Sequence, residues 1–259
     1  ARLCDDRRMA KSSLIALALL TLPVACGPAA ENTPIPRPSA EAPAPSAHEQ
    51  AKAEVAKLTA QANQDPLLTA WTGPYGGVPP WDKADAKLVP PAFELGIKLL
   101  LAEVEVIAQN PEKPTFQNTM IALEDSGRHL NRAEVVFGVM TTSLNGPDVQ
   151  AVDREWSPKL TAAYDAIIFN GPLCGLIKAL YDQRAALNLT PEQARLLERT
   201  YDQYKRQGAE LDAAKKQKLG EINQQLAVLF TDFGNRVLAD EDTFITLEKR
   251  EDLGGLPGA

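Results

Sequence analysis

The sequence predicts a mainly α-helical protein, a multi-helix array with no βαβ pattern. Three observations predict it. From His48 onward the apolar residues recur about every 3.6 positions rather than every second one. Pro, Gly and capping residues interrupt that period at short intervals. The composition, 44% hydrophobic and 24% charged over 259 residues, is that of a globular chain. Only residues 243–247 (TFITL) read as a strand.

The first element is an address. Arg7-Arg8-Met9-Ala10-Lys11 is basic, residues 12–25 (SSLIALALLTLPVA) are mostly apolar, and Cys26 and Gly27 follow. A basic stretch, a short apolar stretch and small residues before a cut site describe a secretory signal over residues 1–25. The apolar run falls short of the ~20 residues that span a bilayer. Met9 reads as the true start, which makes residues 1–8, with Cys4, an upstream extension. Leu22-Pro23-Val24-Ala25-Cys26 resembles a bacterial lipobox, with Pro23 in place of its usual Leu. Lipidation of Cys26 is therefore expected, and its acyl chains would hold the protein on a membrane at ~0.8 kcal/mol per buried CH₂. Gly27, where an inner-membrane retention signal has Asp, favours the outer membrane. The expected location is the periplasm, anchored to the envelope.

Residues 26–47 are dominated by Pro, Ala, Ser and Glu. Such a stretch buries too little surface to offset its ordering entropy and reads as an extended tether. The folded part is then 48–259. Net charge is −7; residues 1–25 hold Arg2, Arg7, Arg8 and Lys11 against Asp5 and Asp6, so the mature chain stands near −9. Nucleic-acid binders need clustered positive charge, so nucleic acid is not an expected partner. Cys174 is the one unlipidated cysteine of the mature chain, which leaves no disulfide framework. It reads as a small buried hydrophobe.

The helices follow in order. Residues 48–64 are rich in Ala, Lys and Glu and read as a helix. Residues 65–89 carry four Pro, three Gly, Trp71 and Trp81, and read as an irregular segment pinned to the core by its aromatics. Residues 91–110 form a helix with Ile97, Leu100, Leu101, Val104 and Ile107 on one face. Thr115 is the N-cap of a helix running to about Ser143. Asn145-Gly146-Pro147-Asp148 is a turn. The next helix is expected to break at Ser157-Pro158, because Pro removes a backbone donor. Asn170-Gly171-Pro172 is expected to end it, and residues 173–186 form a short helix. Thr190-Pro191-Glu192-Gln193 is a capping box with Pro at the first helical position. Residues 213–239 are the longest helix, with Leu219, Ile222, Leu226, Leu229, Phe230, Phe233 and Val237 on a stripe expected to face the core. The closing GGLPGA reads as mid-loop, which predicts truncation.

No catalytic motif is present. HExxH, which would place two zinc ligands and a base on one helical face, does not occur. Nor do GxSxG, GxGxxG or GxxxxGK[ST]. Gly73, Gly76 and Gly77 lie in a Pro-rich loop rather than a phosphate cradle. His48 lies beside the tether, and His129, near Glu124, Asp125 and Glu134, reads as a partly buried helix histidine rather than a ligand. Glu103/Glu105 and Glu241/Asp242 read as solvated faces. Tyr201/Tyr204 and Phe230/Phe233, at helical spacing, read as core. No residue is therefore assigned a catalytic, cofactor-binding or metal-binding role.

Several stretches together resemble one family. They are NQDPLL (63–68), WTGPYGGVPPW (71–81), PPAF (90–93), IAQN (107–110), PTFQNTMIALEDSG (114–127), Val136-Phe137, LTPEQARLLE (189–198) and INQQLAVLFTDFGN (222–235). In order and spacing they resemble the N-terminal helical region of the thimet oligopeptidase, oligopeptidase A and dipeptidyl carboxypeptidase family of zinc metallopeptidases, most of all its bacterial dipeptidyl carboxypeptidase branch. The 114–127 string is the most specific, with Gln117 where the family usually has Glu. The resemblance implies an enzyme that cleaves short peptides inside a clam-like, helical protein. These helices would form one wall of its channel. Zinc in the full-length family enzyme is held by an HExxH helix and a downstream Glu in the C-terminal half. No position here matches them, so the catalytic half is absent and the fragment is expected to be inactive and to bind no zinc. Helices that pack against that half would leave apolar faces exposed. The implied partners are short peptides, and a membrane if Cys26 is modified. Two alternatives are a stand-alone helical peptide-binding envelope lipoprotein without catalysis, and a structural envelope spacer.

Overall fold

In the computed structural model, residues 44–241 and 243–254 are described. The predicted signal, Cys26 and most of the predicted tether lie outside the described residues. The described residues form eight α-helices, joined by short 3₁₀ turns and one π turn, with no strand among them.

Helix α1 (Ala47–Ala62) begins at Ser46, whose hydroxyl accepts from the Glu49 N–H at 3.2 Å. It runs antiparallel to α2 (Val89–Ala108), and His48 Nδ1 lies 3.0 Å from the Val106 carbonyl. Between them the chain is irregular, as its Pro and Gly content predicts. Asp65 Oδ1 accepts from the Leu67 and Leu68 N–H groups at 2.8 and 3.3 Å. This Asx turn aims two fully buried leucines inward. The aromatic pinning holds only in part. Trp71 packs against the core, whereas Trp81 opens a 3₁₀ turn behind two prolines and is 46% exposed. Leu67, Leu68 and Ala86 anchor the segment instead.

Helix α2 is the centre of the fold and packs on α1, α4, α5 and α6. Its Phe93 meets Phe137 of α4 edge-on at 5.4 Å and Trp156 of α5 at 5.8 Å. Gly96 lets α4 approach closely: a Cβ there would lie 3.1 Å from the Leu130 Cα.

The helix expected over 115–143 is three pieces. Thr115 caps the first turn, and Asn118 returns the bond, its Oδ1 accepting from the Thr115 N–H at 2.7 Å. Residues Phe116–Ile121 are π-helical, and α3 (Ala122–Asp125) ends at Ser126. Gly127, at φ 75°, turns the chain into α4 (Arg128–Ser143). That left-handed conformation favours Gly. The Glu103 carboxylate accepts from its N–H at 2.7 Å, and the Leu100 side chain fills the space where a Cβ would project.

Helix α5 (Pro147–Ile168) does not break at Pro158. Burial of Trp156 before the proline and of Ala163 and Ile167 after it offsets the lost hydrogen bond. The chain then turns at Phe169 and Asn170. Gly171 and Pro172, expected to close α5, instead form the first turn of α6 (Gly171–Gln183), with Asn170 capping the Leu173 N–H at 2.9 Å. Pro at the start of a helix loses no bond. The Thr190–Gln193 capping box forms as predicted and opens α7 (Pro191–Arg206).

Helix α8 (Ala213–Glu241) packs along α5 with the face opposite to the expected one. Gly220 is its only buried residue. Asn223 donates to both Asp165 oxygens at 2.9 and 3.1 Å, Thr231 to Ser157 at 3.1 Å, and Arg154 pairs with Asp232 at 3.0 Å. The apolar stripe points outward: Leu229 is 62%, Phe230 71% and Phe233 67% exposed. Residues 243–247 form no strand, and Phe244 and Ile245 are exposed. With no strand among the described residues to pair with it, β propensity has no ladder to join.

Candidate functional site

The break between α3 and α4 opens one end of a cleft of about 610 Å³. Ser126, Gly127 and Arg128 line that end; Asn131 and Glu134 come from α4, Tyr164 and Ile168 from α5, Gln203 and Tyr204 from α7. A second hollow of about 530 Å³ shares Tyr164, Ile168 and Gln207 with it and continues to Leu226 and Phe230 of α8. Together they make one groove across the α5 face.

Its polar centre is a pair. The Tyr164 hydroxyl donates to both Glu134 oxygens, at 2.9 and 2.7 Å. Burial pushes the Glu134 carboxyl up, against the lowering effect of this hydrogen bond. Burial and the same bond push the Tyr164 phenol up, so it remains a donor at neutral pH. Asp165 is raised by burial and held by the Asn223 amide. Among the described residues no cation pairs with Glu134 or Asp165. The Tyr204 phenol, buried in the cleft wall, is also raised by burial.

Of the residues weighed in the sequence, Glu124, Glu134, Tyr204 and Phe230 line the groove, and His129, Cys174, Glu103 and Glu105 lie elsewhere. His129 is half-buried, with Nε2 3.4 Å from Asn63 Oδ1, and burial and the Arg132 charge lower its pKa. Its Nδ1 is buried without a partner. Cys174 is half-buried against the core, and burial first, then Glu210, hold its thiol protonated. Glu103 is not on a solvated face: it is half-buried, raised by burial and bound to the Gly127 N–H. Glu105 accepts from Gln109 at 2.7 Å, and Asp242 lies outside the described residues. Tyr201 and Tyr204 are core, as predicted; Phe230 and Phe233 are not. The Glu134–Tyr164 pair escaped the sequence reading because its members stand 30 residues apart on different helices.

The described residues offer no site that fits zinc. Among the described residues no three His, Cys, Asp or Glu side chains converge as a metal would require. Among its lining residues the groove carries no paired nucleophile and base.

No family model matches the chain. It is 35% identical over 175 residues to the dipeptidyl carboxypeptidase of Escherichia coli (strain K12), a match covering 68% of this chain and 26% of that protein. It is 33% identical over 175 residues to the Salmonella typhimurium dipeptidyl carboxypeptidase, with the same shares. It is 25% identical over 189 residues to the Haemophilus influenzae oligopeptidase A, covering 70% of this chain and 27% of that one. The chain thus spans about a quarter of the length of the curated relatives it matches. By these matches its helical part belongs to the dipeptidyl carboxypeptidase and oligopeptidase A family, as an N-terminal part of it.

Proposed function

We propose that this chain is the N-terminal part of a zinc metallopeptidase that cleaves short peptides in the dipeptidyl carboxypeptidase manner, exported and lipid-anchored through Cys26. The observation that carries the reading is the 35% identity over 175 residues to a protein named for that activity. The part played by these helices is to form one wall of a peptide channel and to orient what enters it. Two features support that part: an open groove, and, beside it on α8, the outward apolar side chains of Leu229, Phe233 and Val237, of the kind a larger partner surface would cover. Zinc chemistry belongs to residues outside this helical part.

The DNA beyond the Ala259 codon tests the reading. An open frame, or one restored by a single frameshift, encoding HExxH and a downstream Glu is expected. An immediate, well-supported stop codon would overturn it in favour of a stand-alone binding lipoprotein. Alone, purified 26–259 is expected to hydrolyse no short peptide, with or without added zinc, and hydrolysis would refute the division of labour. For the anchor, Cys26→Ser should move the protein from the membrane fraction to the soluble one. An unchanged distribution would remove the lipid from the proposal.

A further inference from the structure

We propose that the groove on α5 is a binding site for a primary ammonium group carried beside an apolar side chain, the amino-terminal residue of a short peptide. The peptide half of this inference rests on the function proposed above; the ammonium half rests on the groove alone.

The argument starts from an unbalanced charge. Glu134 is half-buried, and both of its oxygens share a single donor, the Tyr164 hydroxyl. A carboxylate offers about four acceptor positions, so most of its capacity is unused. Asp165, the next residue on α5, is bound only by the Asn223 amide. Structural carboxylates withdrawn from water ordinarily find a cation. Two cations line the groove and neither serves. Arg128 pairs with Asp125, and Arg206 forms no ion pair with Glu134 or Asp165. An arriving ammonium would find acceptors fixed in place, with no competing lysine to displace. The chain's net charge of −7 adds long-range attraction of the same sign.

The apolar half of the ligand follows from the other wall. Ile168, Leu226 and Phe230 line the hollow beyond Tyr164, and Phe230 is 71% exposed. Its ring and the exposed part of the Tyr164 ring offer surface to an apolar side chain and a π face to the ammonium. A free carboxylate would meet like charge here, so the amino end of a peptide is the end that fits.

The test is a calorimetric titration of the full chain with four probes. They are phenethylamine, its N-acetyl derivative, the tripeptide Phe-Ala-Ala, and its N-acetyl derivative. A charge-assisted contact predicts that each free amine binds about tenfold or more tightly than its acetylated form. In Glu134→Gln the discrimination should fall toward unity. Gln retains an oxygen to accept from Tyr164, so the groove's own hydrogen bond survives. Asp165→Asn, which keeps an oxygen for Asn223, is the second variant and should weaken amine binding as well. Equal binding of free and acetylated probes overturns the inference while leaving a peptide-binding function intact. Discrimination that survives both substitutions overturns it too, as does failure of all four probes to bind at millimolar concentration. Phenethylamine binding that depends on Glu134, with no tripeptide binding, would keep the ammonium site and refute the peptide reading.

Discussion

Phe93 shows how one side chain ties three helices together. It is fully buried on α2, and its ring touches Phe137 of α4 edge-on and Trp156 of α5 at a tilt. Neither neighbour has a free direction in which to collapse, since Phe137 and Trp156 are each 6% exposed. Phe93→Ala therefore loses both the transfer energy of the ring and the contacts of the cavity it leaves. The expected cost is about 3–5 kcal/mol, read as a lower midpoint in urea at unchanged slope. A cost below about 1 kcal/mol would mean that the three helices close over the gap and do not meet as rigid surfaces. Glu103 acts at the same scale. A half-buried carboxylate is unfavourable by itself, but here it takes the N–H of Gly127 at the point where the chain reverses hand, and so fixes the α3–α4 break that opens the cleft.

Elements in this chain obey local signals at their starts and tertiary forces in their interiors. Pro158 is the clearest case of the second. It leaves the helix ladder of α5 one donor short, yet α5 runs on because residues on both sides of it are buried. Pro158→Ala should restore a donor and a better helix former, offset in part by a more flexible unfolded chain. The expected gain is about 1–2 kcal/mol, measured as a higher urea midpoint. No gain would mean that the turn is strained for another reason. The same division explains what was legible beforehand. The cap at Thr115 and the box at Thr190 are local chemistry between residues three apart, and both form where the sequence places them, Asn118 completing a box at Thr115 that the sequence reading did not include. Asn170-Gly171-Pro172 carries an ambiguous signal, because Gly and Pro close one helix or open the next with equal local logic. Gly127 offered a signal, a Gly after Ser within an apolar period, but its role depends on Glu103 and Leu100, which are remote in sequence. For α8 periodicity located the stripe and not the side it faces. The helix docks on α5 through Gly220, Asn223, Thr231 and Asp232, whose polar bonds are invisible to an apolar pattern. The groove was illegible for the same reason: Glu134 and Tyr164 meet only once α4 and α5 are packed.

At the scale of the whole molecule, the half-buried acids and one histidine set opposing pH dependences. Burial raises the carboxyls of Glu103, Glu134 and Asp165 above their ordinary values. A group raised on folding contributes stability that is complete below its unfolded pKa, ~4 for these side chains, and that is lost as pH rises through the folded value. His129 is shifted the other way by burial and by Arg132. Its contribution is complete above ~6.5 and is lost as pH falls through the lowered folded value. Among these four half-buried groups three pull down and one pulls up, so their joint contribution should decline from pH ~4 toward neutrality, with His129 shallowing the slope short of pH ~6.5. The exposed carboxylates of Glu94, Glu192 and Asp212, held low by hydrogen bonds, lose theirs only as pH falls through their lowered values. Single variants separate the two arms. Glu134→Gln keeps the Tyr164 bond and removes one ionisation, so it should be more stable than the parent at neutral pH, with the advantage vanishing below pH ~4. His129→Gln removes the opposing arm and should be most favourable at the acid end. Urea midpoints from pH 4 to 8 measure both. A Glu134→Gln advantage that is constant across that range would show that the carboxyl is ordinary in the fold and that the groove holds its charge at no cost, in which case the drive to recruit a cation would also be absent.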